Sequence, residues 1–500
     1  MFFSKSKYCG LWQCPKIAWL KKFKPDEYVF DDALKGRMEN GNIVGDLAMN
    51  LFGDFTEVTS HKEDGSLDIR SMIQKTKDCL SNGTENICEA SFEYNGLYCA
   101  VDILRKEKNG YAIYEVKSST HEDNYVYIVD VSYQKYVLEH CGIKITKTYV
   151  VNINSDYVFD GTLKLNELFK ITDITNFVIQ EQTNVEEQIK LAEEMLKNET
   201  EPAIDISANC HTPYKCGFWK YCSKHLPSPS IFDLYRTNFS KKLEWYNRGI
   251  LSFKDLEATG WYLGNIQDMQ IKFQNHNFEP HIDKDGIKNF LDKLKYPLYF
   301  LDFETMQPVI PEYVGTRPYQ QIPFQYSLHI IEYEGGPLIH KEFLAESGED
   351  PRRAIAESLC NDIPVGSSVL AYNMGFEKGR IHELADTFPD LYTKLRGITL
   401  HMEDLIEPFR TGCYYRKEIG GSLSIKSVLP AMFSNDPELD YHNLEGVHNG
   451  GEAMALFPKI KDLSKKEQTI ARNNLLKYCE LDTLAMVKIW QKLTELSKQI

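Results

Sequence analysis

Two acidic side chains stand two residues apart at the end of an apolar run, at Asp302 and Glu304 within the sequence YFLDFETM. On a β-strand, residues two apart point to the same side, so we expect both carboxylates to emerge together from a buried strand. Neighbouring buried anions need cations, and Mg²⁺ or Mn²⁺ prefers carboxylate oxygen. The pair therefore predicts a metal site, and the alternative is a strand that ends at a solvated acidic turn.

Two later stretches carry side chains that suit the same site. Glu377 ends the sequence AYNMGFE, which begins with an apolar entry. Tyr478 and Asp482 lie four residues apart in a helical pattern, so both can project from one face. The order of these motifs, over roughly residues 295–495, resembles that of the DnaQ-like DEDD exonucleases.

This resemblance implies an RNase H-like fold in which four carboxylates hold two metal ions. The implied ligands are Asp302, Glu304, Glu377 and Asp482, and Tyr478 would help to position the attacking water. The third acid of the family is usually Asp. Glu377 is longer, which predicts looser coordination at this ligand.

Three further residues of this region are candidates for secondary roles. Lys426 follows Ser424 near a predicted helix start, where a cation and backbone amides favour phosphate, although Ser424 also suits ordinary capping. Asp404 stands at a predicted strand end and is left outside the four ligands. His448 precedes the final helices and lies either near the site or at the surface.

A second stretch whose side chains could carry out chemistry is predicted to form strands. Residues 87–106 and 111–119 both have strand composition, and the pair Asn109-Gly110 between them favours a tight hairpin turn. Residues on the two strands of such a hairpin are brought side by side.

Three side chains of this hairpin suit phosphodiester hydrolysis. Asp102 lies on the first strand, and Glu115 and Lys117 lie on one side of the second. Asp102 and Glu115 can bind a metal that activates water, and Lys117 can stabilise the developing charge. The alternative is an ordinary surface ion pair.

The Asp followed by Glu-x-Lys resembles the core of PD-(D/E)XK nucleases, in their RecB-like branch. Glu89 is a further candidate for the metal site. RecB-like nucleases often place Gln, and Tyr four residues later, in the following helix. Here Tyr133 and Gln134 are adjacent, so Gln134 is a candidate that departs from the family spacing.

Three cysteines at equal spacing, Cys210, Cys216 and Cys222, have the character of cluster ligands. A 4Fe–4S cluster needs four thiolates, and Cys14, which precedes a proline, is the candidate for the fourth. The pattern resembles cluster-bearing RecB-family exonucleases of the CRISPR-associated and AddB types, in which the cluster joins the N-terminus to the end of the nuclease domain. Cys9 competes with Cys14, structural Zn²⁺ competes with the cluster, and unrelated free thiols are the alternative.

The composition and net charge of the chain limit the class of protein that these motifs can belong to. The 500 residues are 42% hydrophobic and 26% charged, which is typical of a folded soluble protein with two or three domains. We expect a cytoplasmic protein without a membrane span, because no long apolar run or signal-peptide core is present.

The net charge of −15 argues against a broad basic surface, but a basic groove can be local. Residues 1–24, rich in lysine and aromatic residues, suit either nucleic-acid contact or a helix anchored by tryptophan.

The predicted architecture is α/β. We expect a RecB-like PD-(D/E)XK domain, of restriction-endonuclease-like fold, over residues 1–226, a helical connector over 227–294 and an RNase H-like exonuclease domain over 295–500. This arrangement also resembles a bacterial family described only as a domain of unknown function.

The predicted function is a metal-dependent nuclease with a RecB-like site and a two-metal 3′→5′ exonuclease site, acting in DNA repair, recombination or defence. DNA is favoured over RNA because both resemblances include DNA-processing members. The alternatives are a nucleic-acid-binding protein with decayed nuclease sites, an RNA-processing 3′→5′ exoribonuclease, and a redox sensor whose cluster switches binding.

Overall fold

The chain forms two compact units in a computed structural model that describes residues 3–30, 32–121, 125–434 and 436–498. The first unit comprises Met1–His225 and Pro308–Gln320, and the second comprises Leu226–Gln307 and Gln321–Ile500. Each unit combines a sheet with helices, which confirms the predicted α/β class. The predicted domain bounds stay a prediction.

The first unit contains a mixed sheet. Its strands are β1 (Phe3–Ser4), β2 (Thr56–Glu57), β3 (Asn86–Tyr94), β4 (Leu97–Glu107), β5 (Gly110–Lys117), β6 (Ile145–Ile153) and β7 (Phe169–Asp173). The strand order is β2-β3-β4-β5-β6-β7, and β1 pairs with β4. Strands β3, β4 and β5 are antiparallel neighbours, and β5 and β6 are parallel.

Helices cover both faces of this sheet. They are α1 (Lys5–Gln13), α2 (Pro15–Phe23), α3 (Asp32–Ala48), α4 (Ile69–Asn82), α5 (Tyr125–His140), α6 (Leu165–Leu168), α7 (Thr175–Lys197) and α8 (Trp219–Cys222). Buried residues of α1, α4, α5 and α7 pack on one face, and those of α3 pack on the other. The parallel pair β5 and β6 is joined through α5, as a crossover requires.

The stretch 87–106 is two strands, so the prediction of a single strand there was wrong. Asn95 and Gly96 both have positive φ, 48° and 83°, which is the backbone conformation of a two-residue hairpin turn. The apolar residues on both sides hid this turn in the sequence pattern. The predicted hairpin between β4 and β5 is present, with Glu107 paired to Gly110.

A segment from the second half of the chain completes the core of the first unit. Val309 is buried among residues of α3 and the sheet. The backbone N–H of Phe159 donates to the carbonyl oxygen of Thr316 at 3.0 Å, and the hydroxyl of Tyr319 donates to the carbonyl oxygen of Ser118 at 2.6 Å. Full burial of a valine alone contributes roughly 1.5–3 kcal/mol.

The second unit contains a five-stranded sheet and a two-stranded ribbon. The strands are β8 (His281–Ile282), β9 (Leu298–Met306), β10 (Ile322–Ile331), β11 (Leu338–Leu344), β12 (Ser368–Ala371), β13 (His401–Asp404) and β14 (Tyr414–Tyr415). The order of the larger sheet is β11-β10-β9-β12-β13, with β12 and β13 parallel to β9 and with β10 antiparallel to both β9 and β11. Strand β9 is therefore central.

The described part of the second unit also contains helices, some of which pack on this sheet. They are α9 (Phe239–Asn247), α10 (Phe253–Thr259), α11 (Asn265–Asn275), α12 (Lys284–Leu291), α13 (Arg352–Asp362), α14 (Gly375–Thr387), α15 (Tyr392–Ile398), α16 (Glu407–Arg410), α17 (Ile425–Met432), α18 (Gly450–Leu456) and α19 (Lys465–Lys498). None of the helices in the described ranges is long and apolar enough to cross a membrane.

The alternation of side chains along β9 separates apolar packing from the acidic residues. Tyr299, Leu301 and Phe303 point into a core formed with α13, α14 and α15. Phe300 and Asp302 lie on the opposite side, where α19 packs. The rings of Phe300 and Trp490 are 5.8 Å apart, and the thiol of Cys479 lies 3.9 Å from Oδ2 of Asp302. The pleat thus directs the acids toward α19.

Gly110 is required by the hairpin that carries Asp102 and Glu115. Its φ is +155°, and an added Cβ would lie 2.4 Å from the backbone oxygen of Lys144. We expect Gly110→Ala to lower the free energy of unfolding by about 1–3 kcal/mol, measured by chemical denaturation. The control is Gly36→Ala in α3, where no heavy atom lies within 4 Å and a small gain is expected. Equal stability of the two variants would contradict this account.

Candidate functional site

The second unit brings together the acidic residues that the sequence predicts. Asp302 and Glu304 come from β9, Glu377 from the first turn of α14 and Asp482 from α19. One carboxylate oxygen from each of Asp302, Glu304 and Asp482 lies within 4.8 Å of the other two. Glu377 lies near enough for its charge to raise the pKa of both Asp302 and Glu304. All four acids therefore share one region.

Burial and mutual repulsion disfavour the ionised forms of these acids. Burial, followed by repulsion from Asp482, raises the pKa of Asp302 well above its ordinary value and that of Glu304 to about 8. Burial also raises the pKa of Glu377 to about 8. Within the described ranges, no hydrogen-bond partner meets the buried Oε2 of Glu377. A set of crowded carboxylate oxygens, one of them unpaired, fits hard divalent ions such as Mg²⁺ or Mn²⁺.

Two tyrosines and a lysine border the acids. The hydroxyl of Tyr441 donates to Oδ1 of Asp482 at 2.6 Å. Nζ of Lys426 donates to the hydroxyl of Tyr478 at 3.1 Å and to the carbonyl oxygen of His448 at 3.0 Å. Tyr478 and Lys426 are thus at the acidic site. The sequence analysis missed Tyr441, because no spacing relates a loop tyrosine to a distant helix.

Asp404 positions the turn that precedes α14. Asn373 has a φ of +69°, and its backbone N–H donates to Oδ1 of Asp404 at 2.8 Å. Oδ2 of Asp404 accepts a hydrogen bond from Arg410 at 3.0 Å. Asn tolerates this left-handed conformation better than most residues. Asp404 therefore supports the turn through which the chain reaches Glu377.

The first unit brings together the residues of the predicted Asp and Glu-x-Lys motif. Nζ of Lys117 donates to Oε1 of Glu115 at 2.6 Å and to Oδ2 of Asp130 at 2.7 Å. Oδ2 of Asp102 accepts the backbone N–H of Val116 at 2.7 Å. Asp102 and Glu115, together with Glu89 and residues of α3, line a cavity of about 210 Å³. This cavity opens beside the acids that the sequence predicts as metal ligands.

Helices α1 and α5 add groups to this site. Nζ of Lys5 donates to Oε1 of Glu115 at 2.8 Å and lies 4.0 Å from Oδ1 of Asp102. Nε2 of Gln134 donates to Oε2 of Glu115 at 2.7 Å and to Oδ1 of Asp130 at 2.9 Å. Gln134 thus reaches the site despite its spacing. Lys5 and Asp130 were missed, although an acid four residues before Gln134 on a helix was a usable signal.

Two lysines, Lys5 and Lys117, offset part of the negative charge of the first site. Burial and Asp102 push the pKa of Glu115 upward, but Lys117 and Lys5 outweigh both and hold it below its ordinary value. Burial lowers the pKa of Lys117, but Asp130 and Glu115 raise it above the usual range. Glu89 differs, because burial and Asp102 raise its pKa to about 7. Most of this site therefore carries its own counter-charges.

The four predicted cluster cysteines occupy one region of the first unit. Cys14 lies between α1 and α2, and Cys14, Cys216 and Cys222 pack against the same buried aromatic and aliphatic residues. Burial raises the pKa of Cys216 to about 11, and Cys210, Cys14 and Cys222 add to this. Cys9 instead lies close to Asp130 and the two lysines of the acidic site. Cys14 thus lies with the three later cysteines.

The chemistry of this thiol group fits a soft or borderline metal. Nε2 of Gln13 donates to the carbonyl oxygens of Asn209 and Tyr214, at 2.8 and 2.7 Å, and holds the cysteine segment against α1. Within the described residues, no three of these thiols have sulfur atoms that all lie within 4.8 Å of one another. Four thiols in a partly apolar pocket suit an iron–sulfur cluster or Zn²⁺, either of which stabilises the thiolate form.

Comparisons with known proteins cover parts of the chain. Residues 299–424 match the family described as Domain of unknown function (DUF2779). An uncharacterized protein of Mycoplasma genitalium, MG366, is 29% identical over 229 residues, which is 42% of this chain and 34% of the relative. Its homolog in Mycoplasma pneumoniae is 27% identical over 231 residues, 41% of this chain and 34% of the relative. Each match thus spans about a third of the relative's length, and neither relative has a stated activity.

The raised pKa values of Glu304 and Glu377 predict how stability depends on pH. The folded protein keeps protons on these groups up to about pH 8, whereas the unfolded chain releases them near the ordinary value of 4.5. Without divalent ions, the free energy of unfolding should therefore fall as pH rises between these values. Added Mg²⁺ should reduce the loss. Chemical denaturation across this pH range, with chelator or with Mg²⁺, measures both effects.

Replacing one of these acids by a neutral side chain of the same size tests this pH dependence. Glu304→Gln should flatten the pH dependence and raise the stability of metal-free protein near pH 8 by at least about 1 kcal/mol. Glu349→Gln, at an exposed acid of the same unit, should leave the profile unchanged. A wild-type profile that rises over this range would contradict the assignment.

Proposed function

We propose that the protein is a metal-dependent nuclease that acts on DNA, and that the acidic site of its second unit is a 3′→5′ exonuclease site. The observation that carries this proposal is the convergence of Asp302, Glu304 and Asp482 within 4.8 Å, with Glu377 close by. Bound divalent ions would polarise the phosphoryl group and supply activated water. The buried acids would hold those ions, and the ions would neutralise the negative charge of the carboxylates.

The position of the acids in the sheet supports this proposal. Asp302 and Glu304 lie toward the carboxyl end of β9, Asn373 follows β12, and Asp404 ends β13. These three strands are parallel, so their carboxyl ends lie at one edge of the sheet. Open α/β sheets bind ligands at this edge. The RNase H-like assignment accounts for these features and stays a proposal.

The residues around the acids have distinct tasks in this mechanism. Tyr441 orients Asp482 through its hydrogen bond, and Lys426 fixes the hydroxyl of Tyr478. Tyr478 is then placed to orient the attacking water. The Nζ of Lys426 also lowers the pKa of Glu304 and Asp482, which favours the ionised forms that bind metal.

For the first unit, we propose a RecB-like nuclease site formed by Asp102, Glu115 and Lys117. The hairpin strands β4 and β5 followed by α5 and β6 place these side chains beside Gln134. Asp102 and Glu115 would hold a divalent ion in the adjoining cavity, and Lys117 would stabilise charge on the phosphate. Cys14, Cys210, Cys216 and Cys222 would hold a structural 4Fe–4S cluster, with Zn²⁺ as the alternative.

One observation favours a second candidate function for this unit. Nζ of Lys5 lies against Glu115 and near Asp102. The ammonium group of Lys5 is therefore close to the position proposed for the divalent ion. A site neutralised in this way would bind nucleic acid without cleaving it. The two functions differ in whether a divalent ion can displace Lys5.

Cleavage by anaerobically purified full-length protein tests the proposal. The substrates are matched DNA and RNA strands labelled at either end, with Mg²⁺ or Mn²⁺. A ladder that recedes from the 3′ end of DNA should be slowed about 100-fold or more by Asp302→Asn, because metal stabilisation is worth several kcal/mol. Residual cleavage should be lost with Asp102→Asn. Asp285→Asn, at an exposed acid of α12, is the control.

The outcomes separate the candidates. Cleavage of RNA in preference to DNA would favour the exoribonuclease. Binding without any metal-dependent cleavage would favour a protein with decayed sites and would refute the nuclease proposal. A cluster that cycles under mild reductant and changes DNA affinity would favour redox sensing.

Lys5→Met discriminates between the two functions of the first unit. If a divalent ion displaces Lys5, removing this cation should lower the metal concentration for half-maximal cleavage about tenfold, since charges about 4 Å apart interact by at least 1 kcal/mol. The assay uses the Asp302→Asn background, which isolates the first site. Lys62→Met, at an exposed lysine of the same unit outside residues 1–24, should change nothing. Absence of cleavage with and without Lys5 would favour the binding function.

A further inference from the structure

We propose that His329, His340 and Glu480 form a separate site for a transition metal of the Zn²⁺ class. This site goes beyond the nuclease function, because its ligands lie outside the four carboxylates. Imidazole nitrogen suits Zn²⁺, Co²⁺ or Ni²⁺, whereas a set of carboxylates alone suits Mg²⁺ or Mn²⁺. The second unit would then hold two kinds of ion at neighbouring places.

Three elements bring these ligands together. His329 of β10 and His340 of β11 are direct cross-strand partners, so both side chains lie on one face of the sheet. Helix α19 packs on that face and supplies Glu480. One ligand atom from each residue lies within 4.8 Å of the others, and Nδ1 of His340 is 3.7 Å from Oε1 of Glu480.

A chain of hydrogen bonds assigns the protons of both imidazoles. The hydroxyl of Thr483 donates to the carbonyl oxygen of Glu480 at 3.1 Å, so its single proton is used. The hydroxyl of Ser327 is 2.6 Å from that of Thr483, and all four contacts of this chain can be hydrogen bonds together only if Ser327 donates to Thr483. Nε2 of His340, 2.9 Å from Ser327, and Nδ1 of His329, 2.8 Å from Thr483, are consequently the donors in their own hydrogen bonds.

This assignment leaves a lone pair on Nδ1 of His340 and on Nε2 of His329. Histidines that ligate metals commonly donate the other ring N–H to a neighbouring group, which fixes the tautomer and the ring orientation. The hydrogen bond to Thr483 is made by Nδ1 of His329, on the other side of the ring from Nε2.

The site is accessible to ions from solvent. The side chain of His340 is 23% exposed and that of Glu480 is 47% exposed, whereas His329 is buried. Three protein ligands leave room for a water as the fourth, as in open zinc sites. Since Thr483 and Asp482 adjoin Glu480 on α19, an ion here would hold that part of the helix against β10 and β11.

Binding of Co²⁺ to the full-length protein tests this inference. The protein is first treated with chelator, and excess Mg²⁺ is present to occupy the carboxylates. Wild type should bind one equivalent of Co²⁺ more than His340→Gln or Glu480→Gln, measured by equilibrium dialysis and metal analysis. The thiol group is common to all variants, so the difference reports the histidine site alone.

The matched controls alter a histidine–glutamate pair that lacks a second imidazole. Nε2 of His276 lies 2.9 Å from Oε1 of Glu257 at the surface of the same unit. His276→Gln and Glu257→Gln should bind Co²⁺ as wild type does. Equal binding by wild type, His340→Gln and Glu480→Gln would overturn the proposal and leave an ordinary ion pair between His340 and Glu480.

A second variant keeps all three ligands and guards against misfolding. Ser327→Ala removes the group that receives the N–H of His340 and should weaken Co²⁺ binding about 10-fold to 100-fold. Melting of each variant in chelator reports whether the fold is intact. If His340→Gln fails to fold, Ser327→Ala decides, and an unchanged Co²⁺ affinity in that variant would overturn the proposal.

Discussion

Repulsion among buried carboxylates is the constraint on which the second unit depends. Asp302, Glu304 and Asp482 are held together although burial and proximity both disfavour their ionised forms. The free energy that holds them is supplied elsewhere, by apolar packing such as that of Phe300 on Trp490. Divalent cations bound among these acids would remove the repulsion.

The two units solve the same electrostatic problem in opposite ways. In the first, Lys5 and Lys117 lie against Glu115 and hold its pKa below the ordinary value. In the second, Lys426 is nearby, but the pKa of Glu304 remains high. The first acidic site thus pairs its carboxylates with lysines of the same chain, whereas the acids of the second site keep raised pKa values.

Local patterns predicted several of the residues that each unit brings together. The apolar run before Asp302, the spacing of Tyr478 and Asp482, and the Glu-x-Lys motif each lie within one element, where periodicity is informative. The turn at Asn95 and Gly96 was hidden by strand-forming neighbours. Lys5, Asp130 and Tyr441 were missed because packing, rather than spacing along the chain, brings them to the acids. The tautomers of His329 and His340 likewise depend on hydroxyls of other elements.

The path of the chain between β9 and β10 has a consequence for how the protein can be divided. Residues 308–320 leave the sheet that carries Asp302, supply Val309 to the core of the first unit, and return. Neither unit is therefore encoded by one uninterrupted stretch of gene. A single break in the coding sequence would strip buried residues from the first unit or split the sheet of the second. The coding sequences of the two units therefore cannot be separated by one cut, although each unit has a hydrophobic core of its own.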